Sequence, residues 1–138
     1  MEILYPAILE PQSGGGFCVR FVDFDEAFTE GETVEEAQFN AIDVLTLTLE
    51  GRLEEGLPIP EPTPELADAV YIAPDARTQS ALLIRRARGE RSLADIARVL
   101  QTTWPAAERL EDPRHWPSLR QLDRAAAALG KRLVLRFE

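Results

Sequence analysis

The chain has 138 residues, of which 45% are hydrophobic, and a formal net charge of −9. This length suits one ordinary domain or two small ones, and the apolar content is enough for packed cores. No run of about 18 apolar residues is present, so the sequence predicts no membrane span. Since the amino terminus lacks a basic stretch followed by an apolar one, no signal peptide is expected. The single cysteine, Cys18, cannot form an internal disulfide, which fits a cytoplasmic protein.

The charge is divided unevenly between the two halves of the chain. Residues 1–72 contain 2 Lys or Arg against 16 Asp or Glu, a net charge of −14. Residues 73–138 contain 13 Lys or Arg against 8 Asp or Glu, a net charge of +5. A phosphate backbone repels the first half and attracts the second. The asymmetry therefore indicates two modules with different partners.

Three strands are expected at the start of the chain. The apolar run at 3–9 predicts a strand near a sheet edge, because its Pro6 cannot donate to a ladder. Three glycines at 14–16 predict a turn, and the period-two pattern of 17–22 predicts a second strand. Residues 23–30 predict a loop that leads into a short third strand.

A long helix is expected to follow these strands. Thr33 and Glu36 have the spacing of a capping box, and the helical pattern continues to about Glu55. The spacing of apolar residues predicts that one helical face is buried. That face consists of Val34, Ala37, Ala41, Val44, Leu45 and Thr48.

The first module closes with an extended segment and a strand. Prolines at every second position of 58–64 exclude a helix there, and residues 70–72 predict a strand that returns to the sheet. The first module, residues 1–74, is thus predicted to be a β-β-β-α-β domain of the α+β class.

The second module, residues 75–138, is predicted to be helical except at its end. Four helices are expected, over 78–88, from a cap at Ser92, over 104–111 and from a cap at Ser118. The inward residues are predicted to be Leu93, Ile96, Ala97 and Leu100 in the second helix and Leu119, Leu122, Ala126 and Leu129 in the fourth. Alternating apolar residues at 133–137 predict a short final strand.

The second and third helices of this module are predicted to form a helix-turn-helix. Ala97 supplies the small residue needed where two helices cross closely. Gln101 stands in the turn where a glycine is common, so a left-handed conformation costing about 1 kcal/mol is expected there. The residues predicted to contact DNA bases or phosphates are Thr102, Thr103, Trp104, Glu108, Arg109, Arg114, Arg85 and Arg91. The alternative is a plain four-helix module whose arginines only solvate it.

Several short motifs stand in order along almost the whole chain. In the first module they are Tyr5-Pro6-Ala7-Ile8, Gly14-Gly15-Gly16-Phe17, residues 28–33, Glu35-Glu36-Ala37 and Pro58-Ile59-Pro60-Glu61-Pro62. In the second module they are Ser92-Leu93-Ala94-Asp95-Ile96-Ala97 and Ala128-Leu129-Gly130-Lys131-Arg132-Leu133. In order and spacing these motifs resemble HicB antitoxins, in the version with a carboxy-terminal helix-turn-helix. Residues 23–27 depart from the pattern, because family members usually have a loop with proline and glycine there.

The resemblance implies a partial ribonuclease-H-like fold for the first module. It also implies a partner, HicA, which is a small basic toxin that cleaves messenger RNA with a histidine. Repression of the protein's own operon is implied as well, so operator DNA and a homodimer or dimer of dimers are expected. The charge of −14 suits this reading independently, because a toxin that grips RNA is basic and opposite charges steer association.

Five residues around one loop are candidates for toxin binding: Asp23, Phe24, Asp25, Glu26 and Phe28. The carboxylates are expected to contact basic toxin residues, whereas the two phenylalanines lie either in that interface or in the core. Leu133, Leu135 and Phe137 are expected to form a dimerisation edge, since a lone strand needs a partner.

No enzyme, metal site or cofactor is expected. Most carboxylates of the first module fall on a loop and a helix, not on the strands from which nucleases hold their metal ions. His115 and Cys18 are too few ligands for a zinc site. The alternative function is a stand-alone or ligand-sensing transcriptional repressor, whose first module needs an apolar pocket.

Overall fold

The strands predicted from apolar runs and period-two alternation form an antiparallel sheet in the first half of the chain. The structure is a computed structural model that describes all of residues 1–138. The strands are β1 (Tyr5–Pro11), β2 (Phe17–Phe21), β3 (Phe28–Gly31) and β4 (Val70–Ile72), in the sheet order β3-β2-β1-β4. Together with the helices that follow, the sheet confirms the α+β class. The chain divides into an amino-terminal unit, Glu2–Asp75, and a carboxy-terminal unit that contains Ala76–Glu138.

Pro6 does not mark a sheet edge, and that prediction was wrong, because β1 lies between β2 and β4. The register of β1 with β2 begins at Ala7, opposite Phe21, so Pro6 lies just beyond that ladder. The Pro6 carbonyl accepts a hydrogen bond from Val22 N at 3.1 Å, on the β2 side. The N–H and C=O of one strand residue point to the same side of the strand. The N–H that proline lacks would therefore also point towards β2, at the end of the β1–β2 ladder, so its absence breaks no bond within that ladder.

The long helix α1 (Val34–Glu55) begins at its predicted cap. Thr33 Oγ1 accepts from Glu36 N at 3.1 Å. The Glu36 carboxylate accepts from Glu32 N at 3.4 Å, so the reciprocal bond is displaced by one residue from a capping box. The buried positions are Ala37, Ala41, Leu45, Thr46 and Leu49. Val34 is exposed, contrary to its prediction, because it stands in the first turn of the helix.

The proline-rich segment 57–66, called here the proline arm, is held by side chains of its own unit. Tyr5 Oη donates to Pro60 O at 2.7 Å, and Tyr71 Oη donates to Thr63 O at 2.7 Å. The Asp23 carboxylate accepts from Thr63 N at 3.0 Å and from Thr63 Oγ1 at 2.5 Å. An extended segment has no internal hydrogen bonds, so these contacts define its path.

The carboxy-terminal unit contains α2 (Ala76–Arg88), α3 (Leu93–Val99), α4 (Trp104–Arg109) and α5 (Leu119–Ala128). Its core consists of Ile84, Ile96, Leu110, Ala125 and Leu129, with Ala87, Leu100 and Leu122 packed against it. Ser118 caps α5 with both bonds of a capping box to Gln121. Ala125 is the fully buried alanine of α5, not Ala126 as predicted, because it falls on the helical face of Leu122 and Leu129.

The final strand predicted at 133–137 is not formed. Residues 131–138 have no regular secondary structure, and the carboxy-terminal unit contains no strand with which they could pair. A lone extended segment satisfies no ladder hydrogen bonds, so it is not a strand in the single chain.

Candidate functional sites

The predicted toxin-binding loop places one of its aromatic residues in the core. Phe24 is 1% exposed, and its ring lies 4.8 Å from that of Tyr5 between centroids. The Arg52 guanidinium covers the ring at 4.9 Å from its centroid. Phe24 therefore belongs to the packing of the unit, and its ring offers no surface to a partner. Phe28, in contrast, is 65% exposed on the edge strand β3.

Two of the three predicted carboxylates are engaged within the unit. Asp23 binds the proline arm through Thr63. Glu26 accepts two hydrogen bonds from Arg52, from Nε at 2.7 Å and from Nη2 at 2.9 Å. These bonds hold the pKa of the Glu26 carboxyl below its ordinary value. Asp25, like Glu26 and Phe28, is exposed.

Arg52 is a residue whose role sequence reasoning missed. Besides covering Phe24 and binding Glu26, it donates from Nη1 to Pro58 O at 2.9 Å. It thereby joins α1 to the loop and to the proline arm. The available signal was that it is one of only two basic residues among 1–72, which makes it the natural counterion of a neighbouring acid.

The solvent side of α1 also carries side chains for which the sequence analysis predicted no binding role. Phe39 is 65% exposed and Leu47 is 66% exposed, although both are large apolar side chains. Asp43 and Glu35 are exposed on the same helix. Their positions outside the predicted buried face were the signal that could have found them.

In the carboxy-terminal unit, α3 and α4 are joined by a tight turn that has the backbone expected from its sequence. Gln101 has φ 54°, which confirms the left-handed conformation predicted for this non-glycine residue. Thr102 N donates to Ala97 O at 2.9 Å, which closes the end of α3. Thr103 caps α4 by accepting from Ala106 N at 3.2 Å. Ala97 and Ala107 are both buried, as close packing of the two helices requires.

The predicted base-reading residues lie on and before α4. Trp104 is 49% exposed, and Thr102, Glu108 and Arg109 are exposed. The Thr103 hydroxyl accepts the capping bond through one lone pair, so its O–H remains available to donate to a phosphate oxygen and its methyl group to contact a base. The short helix α4 thus presents one aromatic ring, one acid and one base to solvent.

The three arginines predicted to contact phosphate, Arg85, Arg91 and Arg114, are all exposed, and Arg91 also binds backbone carbonyls. Arg91 donates to Ala87 O at 2.9 Å and to Leu129 O at 3.5 Å, so it connects the end of α2 to the end of α5. Arg124 on α5 is exposed as well, and its Nη2 donates to Leu100 O at the end of α3 at 3.4 Å.

The predicted dimerisation residues lie in the irregular tail. Leu135 and Phe137 are exposed, whereas Leu133 is half-buried. An open groove beside α5 is lined by Leu119, Arg120, Asp123, Leu133 and Leu135. Leu119 is 63% exposed, contrary to its prediction as an inward residue, because it stands in the first turn of α5. The tail thus adds apolar surface next to Leu119.

No group of three or more His, Cys, Asp or Glu side chains is arranged to hold a metal ion. No helix combines the length and the apolar character that a membrane crossing requires.

Comparison with known proteins places the chain in a family. A family model described as the HicB-like antitoxin of bacterial toxin–antitoxin systems matches residues 4–75. "Antitoxin HicB" of Escherichia coli (strain K12) is 34% identical over 133 residues, which cover 95% of this chain and 96% of the relative. "Antitoxin HicB 1" of Photorhabdus laumondii is 31% identical over 134 residues, which cover 97% and 86% respectively. Both relatives are named antitoxins, which fits the prediction that this chain is not an enzyme. The chain belongs to the HicB family of antitoxins of bacterial toxin–antitoxin systems.

Proposed function

We propose that this antitoxin binds and neutralises a small, basic, HicA-like ribonuclease toxin through its amino-terminal module, residues 1–74. The observation that carries the proposal is the charge of −14 over residues 1–72, held on a separate compact unit. A surface that grips RNA must be basic, so an acidic protein is steered to it and competes with its substrate. The β-β-β-α-β order of the unit supports the further proposal of a partial ribonuclease-H-like fold.

We also propose that the carboxy-terminal module, residues 75–138, represses the operon as a helix-turn-helix. In this proposal α4 enters the major groove with Trp104, Glu108 and Arg109, where Arg109 pairs with guanine. The exposed Arg85 and Arg114 contact phosphates, together with Thr102 and Thr103 at the turn. The exposed Arg91, whose guanidinium also binds backbone carbonyls, is a further phosphate contact in this proposal.

Useful affinity for DNA requires more than one copy in this proposal. The outward face of α4 has one base and one acid, so a single copy is expected to bind at the non-specific scale of about 10⁻⁴–10⁻⁶ M. A homodimer or dimer of dimers places two copies of α4 on a pseudo-palindromic operator. The apolar tail residues Leu133, Leu135 and Phe137 supply the proposed dimerisation edge, which pairs with the tail of a second copy.

Co-purification followed by gel shifts tests the proposal. The gene beside that of this chain is expected to encode a short basic protein with a histidine. Co-expression should rescue cells from that protein, and the two proteins should purify together from the cytoplasm. The complex or the free antitoxin should then shift DNA from its own promoter and leave unrelated DNA unshifted. Failure to neutralise the neighbour's toxicity would overturn the antitoxin mechanism, and unshifted promoter DNA would overturn the repressor mechanism.

A further inference from the structure

Four residues of α1 form a continuous surface feature that the folding of the unit does not use. Glu35, Phe39, Asp43 and Leu47 follow one another at intervals of four residues, which places them in one row along the helix. All four are exposed, Phe39 to 65% and Leu47 to 66%. These four residues are called here the α1 ridge. It alternates between a carboxylate and a large apolar side chain.

Packing within the unit does not account for the α1 ridge. Single exposed apolar residues are ordinary, but two large ones in one row, with the partly exposed Ile42 beside Phe39, form an apolar patch. The next position of the row is Gly51, where an added Cβ would meet no atom within 4 Å. Glycine is among the least favourable residues inside a helix, and nothing in the unit needs it here. A glycine in open space leaves the helix backbone accessible to a close neighbour.

The charge around the α1 ridge selects the kind of partner. The unit carries −14 over residues 1–72, and the row itself contributes Glu35 and Asp43. Nucleic acid is repelled by this surface, and a second copy would bring like charges together. A basic protein surface with an apolar centre fits both the carboxylates and the large apolar side chains of the ridge, since interfaces combine an apolar core with a polar rim.

We propose that the α1 ridge is the docking surface for the basic, RNA-gripping toxin. This inference rests on the toxin-binding function proposed above and adds the face on which binding occurs. Phe39 and Leu47 are the apolar anchors, and Glu35 and Asp43 steer and orient the basic partner. The proposed contact lies on α1, whereas the residues predicted from the sequence lie before it, in the loop where Phe24 is buried and at Phe28 on β3.

Titration calorimetry of the full-length chain with the purified basic protein encoded beside its gene tests the proposal. The double variant Phe39→Ala/Leu47→Ala should bind at least about 30-fold more weakly, because hot-spot anchors dominate an interface. The matched control is Leu57→Ala, which truncates a 43% exposed apolar side chain of the same unit outside the ridge and should change affinity by less than about 3-fold. Equal melting temperatures of the variants show that folding is intact.

The two carboxylates of the ridge are tested separately, by measuring the rate of association with the same basic protein at several salt concentrations. Glu35→Gln/Asp43→Asn should lower the association rate and flatten its dependence on salt, with a smaller effect on dissociation.

The possible outcomes separate this inference from the proposed function. If the unaltered chain does not bind the neighbour's product, the toxin-binding function fails, and the ridge proposal fails with it. If the unaltered chain binds but Phe39→Ala/Leu47→Ala binds equally well, the ridge proposal alone is overturned. A double variant that loses self-association in sedimentation equilibrium without the partner would show that a second copy covers the ridge, which also overturns it.

Discussion

Individual side chains of the amino-terminal unit divide into those that hold the fold and those that face solvent. Asp23 and Asp25 stand two residues apart and are chemically identical, yet only Asp23 binds the proline arm. Phe24 and Phe28 divide in the same way, with Phe24 in the core and Phe28 at the surface. A short stretch rich in acidic and aromatic residues therefore contains two classes of residue with different roles.

We expect Asp23→Ala to destabilise the unit by about 1.5–3 kcal/mol, because two hydrogen bonds to a charged acceptor are lost. Asp25→Ala is the matched control and should change stability by less than about 0.5 kcal/mol, since its side chain is exposed. Urea unfolding of both variants measures the difference. Equal stabilities would mean that the proline arm does not depend on Asp23.

The ion pair of Glu26 with Arg52 predicts a small acid-side loss of stability. The Arg52 hydrogen bonds lower the folded-state pKa of Glu26, so the contribution is present above the unfolded-state pKa and is lost as pH falls through the folded-state pKa. Since the Glu26 side chain is 48% exposed, solvent screening keeps the effect small. Denaturant unfolding at about pH 7 and about pH 3 should show a smaller pH dependence for Glu26→Gln than for the unaltered chain. Identical pH dependence would contradict a stabilising pair.

Gln101 provides a direct test of backbone strain in the turn before α4. Its φ of 54° disfavours a residue with a Cβ, so Gln101→Gly should raise the free energy of unfolding by about 0.5–1 kcal/mol. Gln101→Ala keeps the Cβ and is expected to leave stability nearly unchanged. Thermal unfolding of the two variants separates relief of strain from loss of the side chain. A Gly variant that melts no higher than the Ala variant would disprove the strain.

At the scale of elements, an ion pair fixes the position of α4 relative to α2. Arg88 donates from Nε to Glu111 at 2.5 Å and from Nη2 at 2.9 Å, and both side chains are largely buried. The Glu111 carboxylate raises the pKa of Arg88, so the guanidinium stays charged. Because Glu111 follows α4 directly, this pair anchors the helix that the repressor proposal places in the major groove.

Removing this anchor should affect both stability and DNA binding. Glu111→Ala is expected to cost about 1.5–3 kcal/mol, because it leaves a charged group without its buried partner. Glu90→Ala removes an exposed acid of the same unit and should have little effect. Chemical denaturation and promoter gel shifts are the measurements. If Glu111→Ala binds promoter DNA as tightly as the control at a temperature where both are folded, α4 does not need this anchor.

At the scale of the whole molecule, opposite charges on two compact units favour two independent binding activities. Deleting residues 133–138 should reduce the oligomer mass and weaken promoter binding, since the exposed apolar tail is the proposed link between copies. Toxin binding should be unchanged, because no residue of the acidic unit is removed. Light scattering, gel shifts and calorimetry on the same preparation measure the three properties. An unchanged oligomer mass would exclude the tail as the dimerisation edge.

The local elements were largely predictable because their signals lie close together in the chain. Thr33, Ser92 and Ser118 each cap a helix at the predicted position, since a cap needs only a hydroxyl and an amide three residues later. The conformation of Gln101 was predictable for the same reason, because a turn is a local structure. The candidate site was less predictable, since accessibility depends on what packs from distant parts of the chain.

The sequence by itself determined the α+β class, most element positions, the division of charge and, through ordered motifs, the HicB family. These properties depend on composition and on contacts between near neighbours. Only the tertiary structure decided that Phe24 is core, that Pro6 lies within the sheet and that the tail is no strand in a single chain. The positions of Phe24 and Pro6 depend on which residues pack or pair with them from distant parts of the chain. The tail is no strand because no such pairing strand is present. The exposure of the α1 ridge is of the same kind, because a side chain is left at the surface only when nothing else in the fold covers it.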